Sequence, residues 1–230
     1  MKLKIINIIT RALFILCIPF LLLTTAIGIA FNSVSLYEYG FDKYNVVSTT
    51  GLARTELVKS AETLISYFNS GEEYIDLIVE KDGIEFELFT REESIHMKDV
   101  KGLVRLDYWV LAGTLAYILG YTGVCLYRRK GGRLITWNIL IGSGVTLVLL
   151  LALWLGSLWN FDRLFYQFHL IAFSNDFWSA KGYMLKLFPG DFWYDATLFC
   201  AIGMAAAAAV LGAIAGSFLF FTKKGLHFHG

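Results

Sequence analysis

Four long blocks of apolar residues dominate the pattern of the chain. They cover residues 9–31, 108–127, 134–159 and 196–222. Each block is long enough for a helix that crosses a bilayer, which needs about 20 predominantly apolar residues. In a soluble helix the apolar residues would instead recur with the period of one buried face. The pattern therefore predicts four transmembrane helices.

Basic residues gather at one end of each predicted helix. Positively charged clusters mark the cytoplasmic side of a membrane protein. We therefore predict that both termini are cytoplasmic and that residues 32–106 and 160–195 lie on the outer face. The first block is longer than the 7–15-residue apolar core that is typical of a signal peptide, so we expect an uncleaved anchor. The clusters are Lys2, Lys4 and Arg11, then Arg128, Arg129, Lys130 and Arg133, then Lys223 and Lys224.

The first outer segment has the pattern of a small α+β domain. Apolar residues recur at helical spacing between Leu57 and Phe68, and Ser48–Thr50 are candidate capping residues. Alternating apolar positions over 75–79 and 84–88 flank an Asp-Gly pair at 82–83. An Asp-Gly pair between alternating runs is a strong signal for a β-hairpin. We predict a helix with a hairpin packed on it, because an isolated hairpin is only marginally stable.

A further helix is predicted to begin next to Thr90. The run Thr90-Arg91-Glu92-Glu93 has the Thr-x-x-Glu pattern of a capping box. The helix would continue through His96 towards the second transmembrane helix.

The second outer segment is rich in aromatic residues. Twelve of the residues from 160 to 195 are Phe, Tyr or Trp, against 16% in the whole chain. Aromatic rings favour the interface between membrane and water. We therefore predict that residues 161–173 form a helix lying at the outer interface.

The predicted fold is an α-helical membrane protein with four transmembrane helices, a small outer α+β domain and an aromatic interfacial segment. Residues 1–31 form the cytoplasmic N-terminus and helix 1, and residues 32–106 form the outer domain. Residues 107–159 form helices 2 and 3 with their basic turn. Residues 160–195 form the interfacial segment, and residues 196–230 form helix 4 and the cytoplasmic tail.

Composition narrows the possible functions. The chain is 57% hydrophobic, and its net charge of +1 gives no field to attract nucleic acid. All three cysteines lie inside predicted transmembrane helices, so we expect no disulfide. The sequence lacks a P-loop, a dinucleotide fingerprint, a zinc-protease motif and a serine-hydrolase elbow, so we predict neither cofactor nor metal. The transmembrane helices hold almost no ionisable residue, which argues against a transporter.

Two histidines are candidates for acid–base chemistry. His96 and His169 lie in the two outer segments near predicted membrane boundaries, whereas His227 and His229 lie in the terminal tail. Histidine is the usual proton carrier near neutral pH. Spacing alone favours structural roles for both, with His96 a solvated surface residue and His169 a satisfied interfacial one. The candidate supporting residues, by helical spacing or nearness in sequence, are Glu92, Glu93, Asp99, Asp162, Asn175 and Trp178.

The two histidine motifs resemble those of a bacterial membrane protein family. One motif is Arg-Glu-Glu-Ser-Ile-His-Met-Lys-Asp-Val over 91–100, and the other begins Phe-Asp-Arg-Leu-Phe-Tyr-Gln-Phe-His over 161–169 and continues to Pro189. With the four-helix pattern, they resemble the family that includes the lipoprotein intramolecular transacylase of Gram-positive bacteria. The resemblance covers nearly the whole chain.

The resemblance implies an acyltransferase of the bacterial cell membrane with its active site on the outer face. Its partners would be diacylglyceryl-modified lipoproteins and membrane lipid, and we expect a monomer. The enzyme would move the sn-2 acyl chain from glycerol to the α-amino group of the lipoprotein's N-terminal cysteine. His96 would be the base and His169 would stabilise the oxyanion or protonate the leaving oxygen, with the opposite assignment left open. Asn175 would be an oxyanion donor and Asp162 would orient His169.

Two other functions stay open on the sequence. A lipid or lipoprotein hydrolase could use the same pair and would release free fatty acid. A non-catalytic sensor or assembly factor could use residues 32–106 for binding and would not need either histidine.

Overall fold

The computed structural model describes residues 2–128 and 131–225, and it describes the side chains in these ranges except at 2–3, 157–159 and 223–225. The basic residues Arg129 and Lys130 and the tail histidines His227 and His229 lie outside the described residues. The side chains of Lys2, Lys223 and Lys224 lie outside them as well.

The described chain contains eight α-helices and one β-hairpin. In chain order they are α1 (Lys2–Phe31), α2 (Val34–Lys43), α3 (Val46–Thr50), α4 (Arg54–Asn69), β1 (Ile78–Lys81), β2 (Ile84–Glu87), α5 (Arg91–Tyr127), α6 (Gly132–Ala172), α7 (Tyr183–Leu187) and α8 (Gly190–Gly225). A single 3₁₀ turn, Phe177–Ser179, lies between α6 and α7. As predicted, four helices (α1, α5, α6 and α8) are long and apolar enough to cross a membrane.

The long helices extend beyond the predicted apolar blocks. α5 begins at Arg91, so residues 91–107, which carry eight charged side chains, precede its apolar part from Tyr108 onwards. α8 begins at Gly190, six residues before the predicted start at Ala196. Its first turns contain the buried residues Phe192 and Asp195. A hydropathy pattern registers apolar residues only, so it does not extend the predicted helix across a buried polar residue such as Asp195.

α6 changes direction at Asn160. The backbone of Asn160 is extended (φ −173°, ψ 96°), and its side chain accepts a 2.9 Å hydrogen bond from the backbone N–H of Arg163. Asn160 therefore caps a second helical stretch that runs to Ala172. This stretch is the helix predicted over 161–173.

The chain divides into two compact units. Unit 1 comprises residues 1–27, 108–156 and 200–230, and unit 2 comprises residues 28–107 and 157–199. In unit 1, Phe14, Ile18 and Ile135 form a buried cluster. Gly142 allows α6 to approach α1 closely, because a Cβ there would lie 2.7 Å from the Ile18 side chain.

Unit 2 contains the predicted helix and hairpin. α4 buries Leu57, Ala61, Leu64 and Phe68 on one face, as the spacing predicts. In the hairpin, Val79 pairs with Phe86 and Lys81 with Ile84. Asp82 and Gly83 both have positive φ, which is the conformation that a two-residue type I′ turn requires.

The predicted capping residues of α4 are not its cap. Ser48, Thr49 and Thr50 lie inside α3, and Gly51, with φ +70°, ends that helix. The residue at the start of α4 is Ala53, which makes no side-chain cap. The chain turns at Gly51 before α4 begins. The polar run 48–50 therefore does not mark the first residue of α4.

Candidate active site

His96 and His169 face each other in unit 2. Their ring centroids are 6.2 Å apart, with 28° between the ring planes. His96 lies on α5 and His169 near the end of α6, and their exposed fractions are 5% and 7%. Two imidazoles distant in sequence therefore share one largely dry site.

The start of α5 is fixed by the capping box that the sequence predicts. Glu93 accepts a 3.0 Å hydrogen bond from the backbone N–H of Thr90, while its own N–H donates to Thr90 Oγ1 at 3.3 Å. Glu93 is fully buried, and its second oxygen accepts a 2.7 Å bond from the backbone N–H of Met184. Gly182 packs directly against this carboxylate, where a Cβ would clash with it. Glu93, one turn from His96, thus joins α5 to the start of α7.

Asp99 makes a second connection, one turn after His96. Its carboxylate accepts a 2.9 Å hydrogen bond from the side-chain amide of Asn175, and Asn175 Oδ1 accepts one from the backbone N–H of Phe177 at 3.1 Å. Residues three before and three after His96 therefore hold the segment 173–184 against α5.

The hydrogen bond of His169 sets its tautomer. Nδ1 of His169 lies 2.7 Å from the backbone carbonyl of Phe165. A carbonyl only accepts, so Nδ1 carries the proton of the neutral ring and Nε2 carries the lone pair.

Aromatic rings surround both imidazoles. The ring of Phe165 lies 4.4 Å from that of His169, the ring of Trp178 lies 4.7 Å from it, and the ring of Phe173 lies 4.8 Å from that of His96. Phe168 also contacts His169, at 5.4 Å. These rings bury the pair, and burial lowers the local dielectric.

Burial keeps both histidines neutral near pH 7. It lowers the pKa of His96 to about 4, with a further contribution from the nearby His169 and an opposing one from Asp99. Burial also lowers the pKa of His169, against the bond to Phe165.

Two buried nitrogen atoms in this site have no hydrogen-bond partner among the described residues. They are Nδ1 of His96 and Nε1 of Trp178. Buried polar atoms are almost always paired, and unpaired ones concentrate at functional sites. The Trp178 N–H is therefore a candidate donor to a substrate.

Comparison with known proteins identifies the family. The family model for the lipoprotein intramolecular transacylase Lit matches residues 12–193. The chain belongs to this family. The resemblance inferred from the two histidine motifs is therefore confirmed.

Solved structures of a Lit protein share the fold of this chain. The membrane-integral lipoprotein intramolecular transacylase Lit from Bacillus cereus superposes with a TM-score of 0.80 at 19% identity, covering 97% of this chain and 99% of that chain. A structure of the same protein with a histidine-to-alanine mutation gives a TM-score of 0.78 at 18% identity, covering 97% and 98%. An uncharacterized protein of Aquifex aeolicus (strain VF5) is 32% identical over 117 residues, so the match spans half of this chain and half the length of that relative.

The Lit fold brings together most of the residues singled out from the sequence. His96, His169, Asp99, Asn175 and Trp178 all lie in the site described above.

Glu92 and Asp162 are placed differently. Both are exposed, and the bond made by His169 Nδ1 goes to Phe165 rather than to Asp162. A backbone carbonyl four residues earlier on the same helix reaches the ring, whereas Asp162 lies two turns away.

One further residue that shapes the Lit site, Gly182, was missed in the sequence. Glu93 was noted in the capping box and for its position one helical turn before His96, but nothing in the sequence pairs it with Gly182, which lies 89 positions later.

Proposed function

We propose that this Lit-family chain is a membrane acyltransferase that moves the sn-2 acyl chain of a diacylglyceryl-cysteine lipoprotein to the cysteine α-amino group. The buried, neutral pair His96 and His169 is the observation that carries the proposal. The amine nitrogen attacks the ester carbonyl and forms a C–N bond. The glycerol C–O bond then breaks. The proton leaves the amine and returns to the glycerol oxygen, so the products are an amide and a lyso-glyceryl group.

His169 is the better general base. Its Nδ1–H is committed to Phe165, so Nε2 presents a lone pair to the attacking amine. The same nitrogen can then return the proton to the departing glycerol oxygen. This assignment is the opposite of the one first favoured from the sequence, because a sequence does not show which ring nitrogen of a histidine carries the proton.

His96 and Trp178 suit the stabilisation of the oxyanion. We assign the proton of His96 to Nε2, because its buried Nδ1 has no partner to receive one. A neutral imidazole with a lowered pKa is a good hydrogen-bond donor to a developing oxyanion. Trp178 Nε1–H beside His169 would be the second donor, in place of Asn175, whose amide is bonded to Asp99.

The dry aromatic surroundings favour transfer over hydrolysis. Donor and acceptor belong to one substrate molecule, so proximity supplies a large part of the rate. Water in the site would release free fatty acid instead of forming the amide. The rings of Phe165, Phe173 and Trp178 would hold the acyl chain and keep water out.

The site would lie on the outer face of the bacterial membrane, where lipoproteins carry their lipid. The positively charged clusters support cytoplasmic termini. A single cysteine replacing Arg128 in a cysteine-free variant should react with a membrane-impermeant maleimide only in inside-out vesicles. Labelling in intact cells would reverse the proposed topology.

Mass spectrometry of a lipoprotein's N-terminal peptide tests the reaction. The host would be a bacterium unable to N-acylate lipoproteins by other means. Wild type should give an N-acylated cysteine with a lyso-glyceryl group. His169→Ala and His96→Ala should lower product formation by about 10²–10⁴-fold, the usual contribution of a positioned acid or base.

His227→Ala is the matched control and should behave as wild type. Free fatty acid with an unmodified amine would indicate a hydrolase. An unchanged diacylglyceryl peptide from well-expressed wild type would exclude the acyltransferase and favour a sensor or assembly factor.

The donor role of Trp178 has its own test. Trp178→Phe keeps an aromatic ring but removes the N–H, so we expect a loss of about 10–100-fold in rate, somewhat less than the loss of a dedicated oxyanion donor. Trp109→Phe is the control, since Trp109 is 77% exposed. Equal rates in the two variants would remove Trp178 from the chemistry.

A further inference from the structure

Unit 1 contains positively charged residues and no negatively charged one. All 19 acidic residues of the chain lie in residues 28–107 and 157–199, which are unit 2. The basic residues of unit 1 therefore have no acidic side chain in their own unit to neutralise them. They are Lys2, Lys4, Arg11, Arg128, Arg129, Lys130, Arg133, Lys223 and Lys224.

Among the basic residues of unit 1 whose side chains the structure describes, Arg11 is held in place by a side-chain hydrogen bond. Its Nε donates a 2.7 Å hydrogen bond to Oδ1 of Asn138 on α6. Asn138 is fully buried, and its Nδ2 donates in turn to the Tyr121 hydroxyl on α5 at 3.3 Å. The hydroxyl of Tyr117 donates to the backbone carbonyl of Thr10 at 2.9 Å. The guanidinium on α1 is thus bonded to a buried amide on α6 that is itself held by α5.

The described partner of Arg11 leaves its charge uncompensated. An amide oxygen is neutral, and a guanidinium stays charged in proteins. Its two terminal nitrogens are not used in a described hydrogen bond. A charge near a bilayer is costly unless it reaches a partner or the headgroup layer.

We propose that Arg11 is the centre of a binding site for the phosphate of an anionic phospholipid, in the leaflet at the N-terminal end of α1. A guanidinium presents a planar fork of donors that matches a phosphate. Lys4 lies seven residues earlier, on the same face of α1, and adds a second positive charge towards the aqueous side.

The surroundings favour a lipid over a soluble anion. On α1, Ile8 lies one turn before Arg11 on the same face and is 68% exposed. An exposed apolar side chain beside a fixed positive charge suits acyl chains next to a phosphate. The site would be independent of the histidine chemistry, since no residue is shared with it.

Native mass spectrometry of the full-length protein in neutral detergent tests the site. The probe would be dioleoyl phosphatidylglycerol, compared with dioleoyl phosphatidylcholine. Wild type should bind phosphatidylglycerol at least about tenfold more tightly, as expected for one fully engaged charged contact. Arg11→Gln keeps a donor for Asn138 but loses the charge, and should weaken phosphatidylglycerol binding to the phosphatidylcholine level.

Arg133→Gln is the matched control. Arg133 is exposed near the same end of α6, so its replacement should change binding by less than about twofold, the effect of a screened surface charge. Equal losses in the two variants, or no preference in wild type, would overturn the site. Displacement of the lipid by millimolar inorganic phosphate would point to a soluble anion and overturn it as well.

Arg11→Lys keeps the test decisive if Arg11→Gln does not fold. Lysine keeps the charge but lacks the planar guanidinium that can bond to both Asn138 and a phosphate. Phosphatidylglycerol binding should therefore weaken by at least about threefold, a smaller change than the loss of a full bidentate contact would cause. Unchanged binding would overturn the proposal. Lipoprotein acylation, followed in the same preparations, should persist in the Arg11 variants, so a failed lipid site leaves the transacylase proposal intact.

Discussion

Acidification should destabilise the protein through His96. The pKa of this histidine is about 4 in the folded chain, against about 6.5 for an unperturbed histidine in the unfolded chain. Between these values the unfolded chain binds a proton that the folded chain does not. The free energy of unfolding therefore falls as the pH falls from about 6.5 towards 4. At pH 5 the loss from this one group is at most about 2 kcal/mol relative to neutral pH.

Thermal unfolding in detergent measures this loss. Wild type and His96→Asn would be compared at pH 7.5, 6 and 5, because asparagine keeps polarity but cannot titrate. Between pH 7.5 and 5, wild type should lose about 4–8 °C more in Tm than the variant, taking roughly 2–4 °C per kcal/mol for a chain of this size. Groups common to both proteins cancel in the difference.

The neighbours of His96 define what would refute this reasoning. His169 opposes protonation of His96, and Asp99 favours it. Parallel pH curves for wild type and variant would show that burial does not control His96. A wild type that gains stability at pH 5 would show an imidazolium paired with Asp99, and His96 could not then be the neutral donor proposed for the oxyanion.

The remaining predictions concern contacts that hold unit 2 together. Gly182→Ala should displace the buried side chain of Glu93 and lower both Tm and acyl transfer, at a cost of about 2–4 kcal/mol for a buried carboxyl group that loses its hydrogen-bond partners. Gly190→Ala, where a Cβ meets open space, is the control, and equal behaviour of the two variants would refute the contact. Asp195→Ala should lower Tm far more than Asp191→Ala, because Asp195 is buried and accepts three side-chain hydrogen bonds, whereas the Asp191 side chain is exposed; similar melting curves would contradict this.

The elements that depend on neighbouring residues could be predicted from the sequence. The hairpin turn at Asp82-Gly83 has the positive φ values that this pair favours. The capping box between Thr90 and Glu93 forms with both reciprocal bonds. In each case the deciding interaction joins residues at most three apart. Four apolar blocks similarly predict four long helices, because a membrane imposes a length on each one separately.

Features that depend on distant partners could not be predicted. The start of α8 at Gly190 reflects buried side chains such as Asp195, which is bonded to Lys43 from α2. The hydrogen bond of His169 is local but was not predicted either: it goes to the carbonyl of Phe165, four residues earlier on the same helix, whereas helical spacing suggested Asp162, two turns away. The pairing of Glu93 with the backbone at Met184 crosses 91 positions, and no local pattern records it.

The placement of Glu93 and Asp99 around His96 explains why the site needs both residues 32–106 and residues 160–195. Each residue lies about one helical turn from His96, and each bonds to the segment 173–184 rather than to the imidazole. Phe173 and Trp178, the rings that contact the histidines, lie at the start of this segment and within it. Glu93 and Asp99 therefore act by fixing these aromatic rings, and their electrostatic effect on the imidazole is secondary. Burial by the rings is the main cause of the lowered pKa of His96. Loosening the bond of either acidic residue should therefore raise the pKa of His96 and also let water enter the site.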